Sequence, residues 1–203
     1  LQGAHEIVAE QISDNPDFRT WIRTFTKNKG VYQSKVKDAE KDEKDVYEMY
    51  YDFAEPINKM VSHRVLASNR GEKEEILKVS IVVEEEKIFD YLERHLVTNN
   101  RSITVEFIRE AYKDSYKRFI GPAIEREIRN ELTEDADEQA INIFGENLRN
   151  LLLQPPLKGK VVLGFDPAYR TGCKLAVVDE TGKVLAIEVI YPHKPAPQAK
   201  RQA

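Results

Sequence analysis

A proline pair, Pro155-Pro156, divides this sequence into two textures that one element cannot share. Before it, apolar residues recur every three or four positions, the period of an amphipathic helix. After it, they come in short continuous runs bounded by turn residues, the pattern of strands. Neither proline has an N–H to donate, and each pushes its predecessor out of helical conformation, so a helix must stop there. The expected fold is α+β and mainly helical, with a helical part over residues 1–156 and a strand-rich part over residues 157–203.

Within the first part, Ile7, Val8 and Ile12 place one face of a short opening helix inside. Asn15-Pro16 then reads as a cap followed by proline in the first turn, where its missing N–H costs nothing. Phe18, Trp21, Ile22 and Phe25 form one apolar stripe on the next helix, and Gly30 ends it as a C′ residue. Val31–Val36 is a strand candidate, residues 38–45 a charged loop or solvated helix start, and Val46 to Ala54 a tyrosine-rich stretch of open assignment. A helix follows from Ser62 to about Ile76, a strand from Leu77 to Val83, and a helix opened by Glu84-Glu85-Glu86 that buries Ile88, Phe89, Leu92 and Leu96. Helical period continues through Ile108, Ala111, Tyr112, Ser115, Tyr116 and Phe119 until Gly121-Pro122 breaks or kinks it. Glu125 and Arg129 stand as an i,i+4 pair. Thr133 caps the last long helix, whose core face is Ala136, Ala140, Phe144, Leu148, Leu151 and Leu152.

At 203 residues, with 41% hydrophobic and 33% charged residues, the chain is long enough to bury a core without staples. No apolar run approaches the roughly 18 residues of a membrane span. Cys173 is a single cysteine and the beginning lacks a signal-peptide pattern, so a reducing, cytoplasmic setting with no membrane contact is expected. The chain opens at Leu1 in helical-looking sequence and stops without a closing element, which reads as a piece of something longer.

The formal charge of −4 does not announce a polyanion binder, but its distribution is uneven. Residues 1–156 carry net −8 and residues 157–203 net +4, the latter from the Lys174 and Lys194 neighbourhoods and the tail Lys200-Arg201. Residues 19–37 hold Arg19, Arg23, Lys27, Lys29, Lys35 and Lys37 and no acid. Arg19, Arg23 and Lys27 follow at steps of four, away from the apolar stripe, where they can contact phosphates. The eight acids of residues 38–55 offer the competing outcome, intramolecular pairing of the whole island. Trp21 and Phe25 read as core rather than as stacking platforms. Arg64, Arg70 and Lys73 line a groove or a solvated face.

Three strand-like runs, Val161–Asp166, Lys174–Asp179 and Val184–Ile190, make an antiparallel meander that leaves one apolar face or edge uncovered and invites self-association. Asp166 ends the first run beside the turn Tyr169-Arg170-Thr171-Gly172. Two-metal phosphodiester chemistry needs several carboxylates from different elements, and Asp166 has no convergent partner here. Its alternative role is to stabilise its own turn, as Asp179 does further on. His5, His63, His95 and His193 have no ligand spacing, and no P-loop or dinucleotide fingerprint is present, so no metal and no cofactor is expected.

The segments Tyr116–Glu127, Asn147–Leu157 and Tyr47–Arg70, the last with His63-Arg64-Val65-Leu66-Ala67 and Asn69-Arg70-Gly71-Glu72, resemble the central helical region of bacterial Tex proteins, the transcription accessory factors. Gly164-Phe165-Asp166-Pro167-Ala168-Tyr169-Arg170-Thr171-Gly172 resembles the opening of that family's YqgF domain, an RNase H-like fold, with Ala168 where the family usually has glycine. The resemblance covers nearly the whole chain in order. It implies a longer parent with helix-hairpin-helix modules and an OB-type RNA-binding domain, and nucleic-acid binding without catalysis. It makes Asp166 the first-strand acid of a nuclease constellation that the family is generally regarded as having lost. The expected function is a non-catalytic, nucleic-acid-binding segment, RNA-binding and with RNA and/or DNA as partner of the full-length protein, using Arg19, Arg23, Lys27, Lys29, Arg64, Arg70, Arg170 and Lys174. The alternatives are a metal-dependent nuclease or resolvase using Asp166, and a helical scaffold docking RNA polymerase or ribosome.

Overall fold

The computed structural model describes residues 2–155 and 157–192; Pro156, His193, Lys194, Lys200 and Arg201 lie outside the described residues. The described residues fall into two compact units that divide between Glu146 and Asn147. As the two textures require, the fold is α+β and mainly helical.

The first unit opens with α1 (Gln2–Asp14), α2 (Pro16–Lys29), β1 (Val31–Val36), β2 (Asp52–Pro56) and α3 (Ser62–Lys73). It continues with β3 (Leu77–Val82), α4 (Glu85–Leu96), α5 (Val105–Ser115), a π-helical turn (Tyr116–Ile120) and α6 (Gly121–Leu152), whose end from Asn147 on lies beyond the unit's boundary. The strands form one antiparallel sheet in the order β2-β1-β3. Strand alternation buries Tyr32, Ser34, Leu77 and Val79 on its inner face and leaves Lys35 and Lys78 outside. Ile22, Ile88, Leu92, Tyr112, Ile120, Ile124 and Ile128 join Tyr32 in the core. Each such side chain contributes on the order of 1.5–3 kcal/mol by leaving water. The tyrosine-rich stretch resolves into a short 3-10 turn and β2, with Tyr47 and Tyr50 buried against Ile76 and Leu77.

Several local expectations need correction. Ile7 is exposed, and Ala9 and Ile12 take the inner face of α1. Gly30 follows α2 in extended backbone, φ −70°, so no left-handed cap forms. Its requirement is close approach, because a Cβ there would stand 2.4 Å from the Thr26 carbonyl oxygen and 2.7 Å from Ile57 Cδ1. Helix α3 ends at Lys73, and Glu75 adopts φ 61° before the strand.

Gly121-Pro122 does not break the helix. The Gly121 N–H bonds back to the Tyr116 carbonyl, five residues away, and this wider turn accommodates a proline that cannot donate to residue 118. The extra residue rotates the apolar stripe by one position, so Ile120 is buried where Phe119 was expected, and Phe119 is partly exposed under the Arg118 guanidinium.

Thr133 caps nothing, since it lies inside α6 and its hydroxyl donates to the Arg129 carbonyl at 2.8 Å. Nor do Glu125 and Arg129 pair with each other. Arg129 binds Glu72 of α3 and the Val79 carbonyl, while Glu125 accepts the Ile81 N–H at 3.0 Å. Glu72 accepts the Val79 N–H at 3.0 Å, so side chains occupy the outer edge of β3 that would otherwise be open to another strand. Asn69 to Thr133 and Ser62 to Gln139 extend the same antiparallel alignment of α3 with α6. Ser62 begins α3, so its cover ends at Gln139. This explains why Ala136 is buried while Phe144, Leu148, Leu151 and Leu152 of the expected core face are exposed.

The second unit is the expected meander, β4 (Val162–Asp166), β5 (Cys173–Val178) and β6 (Val184–Ile190), in the order β4-β5-β6. Register places Leu163, Phe165, Leu175 and Val177 on one face and Val162, Ala176, Ile187 and Val189 on the other. Both faces are apolar, and Leu163, Phe165 and Ile187 are exposed.

Candidate nucleic-acid interface

The basic stripe of α2 is built by a well-capped helix. Asn15 accepts the Asp17 and Phe18 N–H groups, and Pro16 fills the first turn. Steps of four then put Arg23 and Lys27 on the side opposite Trp21. There they meet α6: Arg23 Nη2 donates to Glu127 at 3.0 Å and Lys27 Nζ to Glu131 at 2.7 Å. The partners are spaced by four on both helices, so the two pairs form together. The expected pairing with residues 38–55 does not occur at these positions. Arg19 donates to the Ser13 carbonyl at 3.3 Å, and exposed Lys29 has no ion pair among the described residues.

On α3, Arg64 pairs with Glu55 at 2.6 Å and lies over the Phe53 ring, whereas Arg70 is exposed without an ion pair among the described residues. Arg70 borders a hollow of about 320 Å³ with Lys41, Lys44, Tyr47 and Glu74. The hollow's wall is fixed by Asp42, a nearly buried carboxylate that accepts the Val46 and Tyr47 N–H groups and the Tyr51 hydroxyl. Burial alone would raise the Asp42 carboxyl, but these donors outweigh it and hold it below the usual carboxylate range. Lys41 is committed to Glu75 at 2.7 Å, and Lys37 reaches the same carboxylate at 3.6 Å.

In the second unit Asp166 stands directly opposite Lys174, with their charged atoms 3.9 Å apart and both side chains exposed. Arg170 lies exposed in the intervening turn without an ion pair among the described residues. That turn depends on Gly172, at φ 86°, where a Cβ would come within 2.7 Å of the Tyr191 ring. Asp179 does what turn chemistry predicts. It accepts the Thr181 hydroxyl and the Thr181 and Lys183 N–H groups, which hold its carboxyl below the usual range. Among the described residues, no three His, Cys, Asp or Glu side chains are grouped to hold a metal ion, and no helix is long and apolar enough to cross a membrane.

The sequence model for the Tex central region-like family matches residues 1–144, and that for the Tex protein YqgF-like domain matches residues 160–203. The chain belongs to the Tex family. It is 62% identical to an uncharacterised Bacillus subtilis protein, YdcI, over 98% of this chain and 28% of that one. Against "Protein tex" of Bordetella pertussis it is 32% identical, covering 96% of this chain and 26% of the relative. Against human "S1 RNA-binding domain-containing protein 1" the figures are 34%, 94% and 20%. The chain thus spans less than a third of the length of these relatives. Within the Tex family it matches the central region and the YqgF-like domain, and a further relative, from Neisseria gonorrhoeae, is named "Transcriptional accessory protein Tex".

Three features of this surface escaped the sequence reading. Glu127 and Glu131 repeat the spacing of Arg23 and Lys27, a signal that was legible but lay about a hundred residues away. Glu72 and Glu125 serve strand backbone, which no side-chain pattern announces. Trp21 and Phe25 pack against the core as expected, but a third ring joins them: Trp21 stacks on Phe25 and on Tyr91 of α4.

Proposed function

We propose that this chain is a non-catalytic segment of a Tex-type transcription accessory protein that contacts the phosphate backbone of nucleic acid, RNA foremost. The observation that carries the reading is the sorting of the cations. Arg23, Lys27 and Arg64 are bound to carboxylates, whereas Lys29, Arg70 and Arg170 remain exposed without one among the described residues. Phosphate contact falls to this second set, because an unpaired cation releases counterions from the polyanion without first breaking an ion pair. Arg19 adds a donor already shared with the Ser13 carbonyl, and Lys174 adds one shared with Asp166. Binding is sequence-tolerant, since no base-reading element is invoked.

Lys174 opposite Asp166 supports the absence of catalysis: a lone exposed carboxylate facing an ammonium is poorly arranged to gather two metal ions. The test is binding of fluorescent single- and double-stranded RNA and DNA across about 50–300 mM salt, with magnesium present to report cleavage. The reading expects binding that weakens steeply with salt and leaves the nucleic acid intact. Absence of binding at low salt, or cleavage abolished in Asp166→Asn, would overturn it.

A further inference from the structure

Thr26 of α2 is 4% exposed and Tyr116 of the π-helical turn 6%, yet neither side-chain hydroxyl has a hydrogen-bond partner among the described residues. Both line one hollow of about 310 Å³, with Ile22 and Ile124 in its apolar wall. The π-helical turn carries the Tyr116 ring across Gly121, where a Cβ would stand 3.4 Å from Tyr116 Cζ. Buried polar atoms are almost always satisfied, so two unpaired hydroxyls on one hollow mark a place for water or a ligand.

The charges at the hollow favour a cationic donor. Glu85, exposed at the start of α4, has no ion pair among the described residues, and Glu125 commits only its Oε1, to the Ile81 N–H. Burial lifts the Tyr116 hydroxyl to about 12, and Glu85 and then Glu125 push it the same way. Lys117, exposed and without an ion pair among the described residues, is the opposing charge in the lining.

Open backbone adjoins the same hollow. Alternate residues of β3 turn their N–H and C=O groups to its outer edge. Both groups of Val79 and the N–H of Ile81 are taken by Glu72, Arg129 and Glu125. The Ile81 carbonyl and the Val83 N–H, next along that edge, have no partner among the described residues, and both residues line the hollow. An extended segment pairing there, as in strand addition to a sheet edge, would set one side chain into the hollow.

We infer that this hollow receives an arginine side chain from an extended segment of a partner protein, whose main chain pairs with Ile81 and Val83. The aliphatic stem suits Ile22 and Ile124. A planar guanidinium offers five donors to the two hydroxyls and two carboxylates, where an ammonium offers three. This is a protein contact, separate from the phosphate contacts of Lys29, Arg70 and Arg170.

The probe is a labelled peptide, Gly-Ser-Val-Arg-Val-Ser-Gly, acetylated and amidated, beside its counterpart with methionine in place of arginine. Anisotropy follows binding to the chain, and amide NMR follows the Val83 N–H. The methionine peptide is expected to bind at least about 10-fold more weakly, and the arginine peptide to protect the Val83 N–H from exchange. Tyr116→Phe removes a hydroxyl that is unbonded in the free chain; it should keep the thermal transition and weaken the arginine peptide about 3- to 10-fold. That substitution leaves the charge unchanged, so its effect separates insertion from general attraction to a chain of net charge −4. Glu85→Gln should weaken binding to a similar extent, and Lys117→Ala should tighten it. Equal binding of the two peptides, or an affinity untouched by both Tyr116→Phe and Glu85→Gln, would overturn the arginine site. No binding at about 1 mM peptide would leave the hollow to water and overturn it as well.

Discussion

Asn69 of α3 donates to the Thr133 hydroxyl at 2.8 Å, and Thr133 in turn donates to the Arg129 carbonyl one helical turn back. A threonine in that position signals a helix start by its sequence, yet here its hydroxyl joins two helices that run antiparallel. With Glu72–Arg129 on one side and Ser62–Gln139 on the other, it aligns α3 along the first half of α6.

Removing the hydroxyl while keeping the shape tests this relationship. Thr133→Val is expected to cost about 1 kcal/mol, as a partly buried hydrogen bond does, and Asn69→Ala a similar amount. Together they should cost less than the sum, because each removes the same bond. Urea denaturation of the two single variants and the double variant measures the coupling, and strict additivity would contradict the link.

The glycine after α2 gives a steric prediction. Gly30→Ala keeps an accessible φ but places a methyl against the Thr26 carbonyl and Ile57. Overpacking of this kind costs about 1–3 kcal/mol. A thermal transition indistinguishable from that of the unsubstituted chain would show that the α2–β1 junction relaxes freely.

How much of this was legible in the sequence depends on the range of the forces involved. The Asn15 cap, the strand at Val31–Val36 and the core positions Ile88 and Leu92 follow from local spacing and stand where their patterns put them. Phe119 and Ile120 exchange roles because one π-helical turn inserts a residue into the count. The α6 stripe failed from Phe144 on because periodicity shows which face is apolar and not how far the covering helix reaches. The partners of Arg23, Lys27 and Arg129 are set by tertiary packing, and short-range pairing rules named the wrong carboxylates.

Stability should fall at both ends of the pH scale for identifiable reasons. The depressed carboxyl of Asp42 favours folding above its unfolded value, near the usual 3.8, and that contribution is lost as pH falls through the lower folded value. In Asp42→Asn this acid-limb loss is expected to be smaller. Burial raises Tyr112 and Tyr116 from 10.0 to about 12, so their contribution is complete below pH 10 and is lost as pH rises towards 12. Glu93, which accepts the Tyr112 hydroxyl, reinforces the rise at that residue. Tyr32, Tyr47 and Tyr51 are also raised by burial, so phenolate absorbance should show a late-titrating group that includes Tyr112 and Tyr116 and whose ionisation accompanies unfolding; loss of none of the late signal in Tyr112→Phe and Tyr116→Phe would contradict their burial.

The meander presents apolar side chains on both faces, including Leu163, Phe165, Ile187 and Val189, and the outer edges of β4 and β6 pair with no further strand among the described residues. Such surfaces associate. Light scattering of this chain is expected to show concentration-dependent self-association, reduced in Phe165→Lys. A clean monomer at high concentration would contradict it.

The most direct test of the central claim compares two double variants in salt-dependent RNA binding. Lys29→Ala with Arg70→Ala removes two cations assigned to phosphate and should lower the salt slope by about 2. Arg23→Ala with Lys27→Ala removes two cations assigned to Glu127 and Glu131, and should leave the slope nearly unchanged while costing up to about 2 kcal/mol of stability. The opposite pattern, a slope lost with Arg23 and Lys27 and kept without Lys29 and Arg70, would contradict the account.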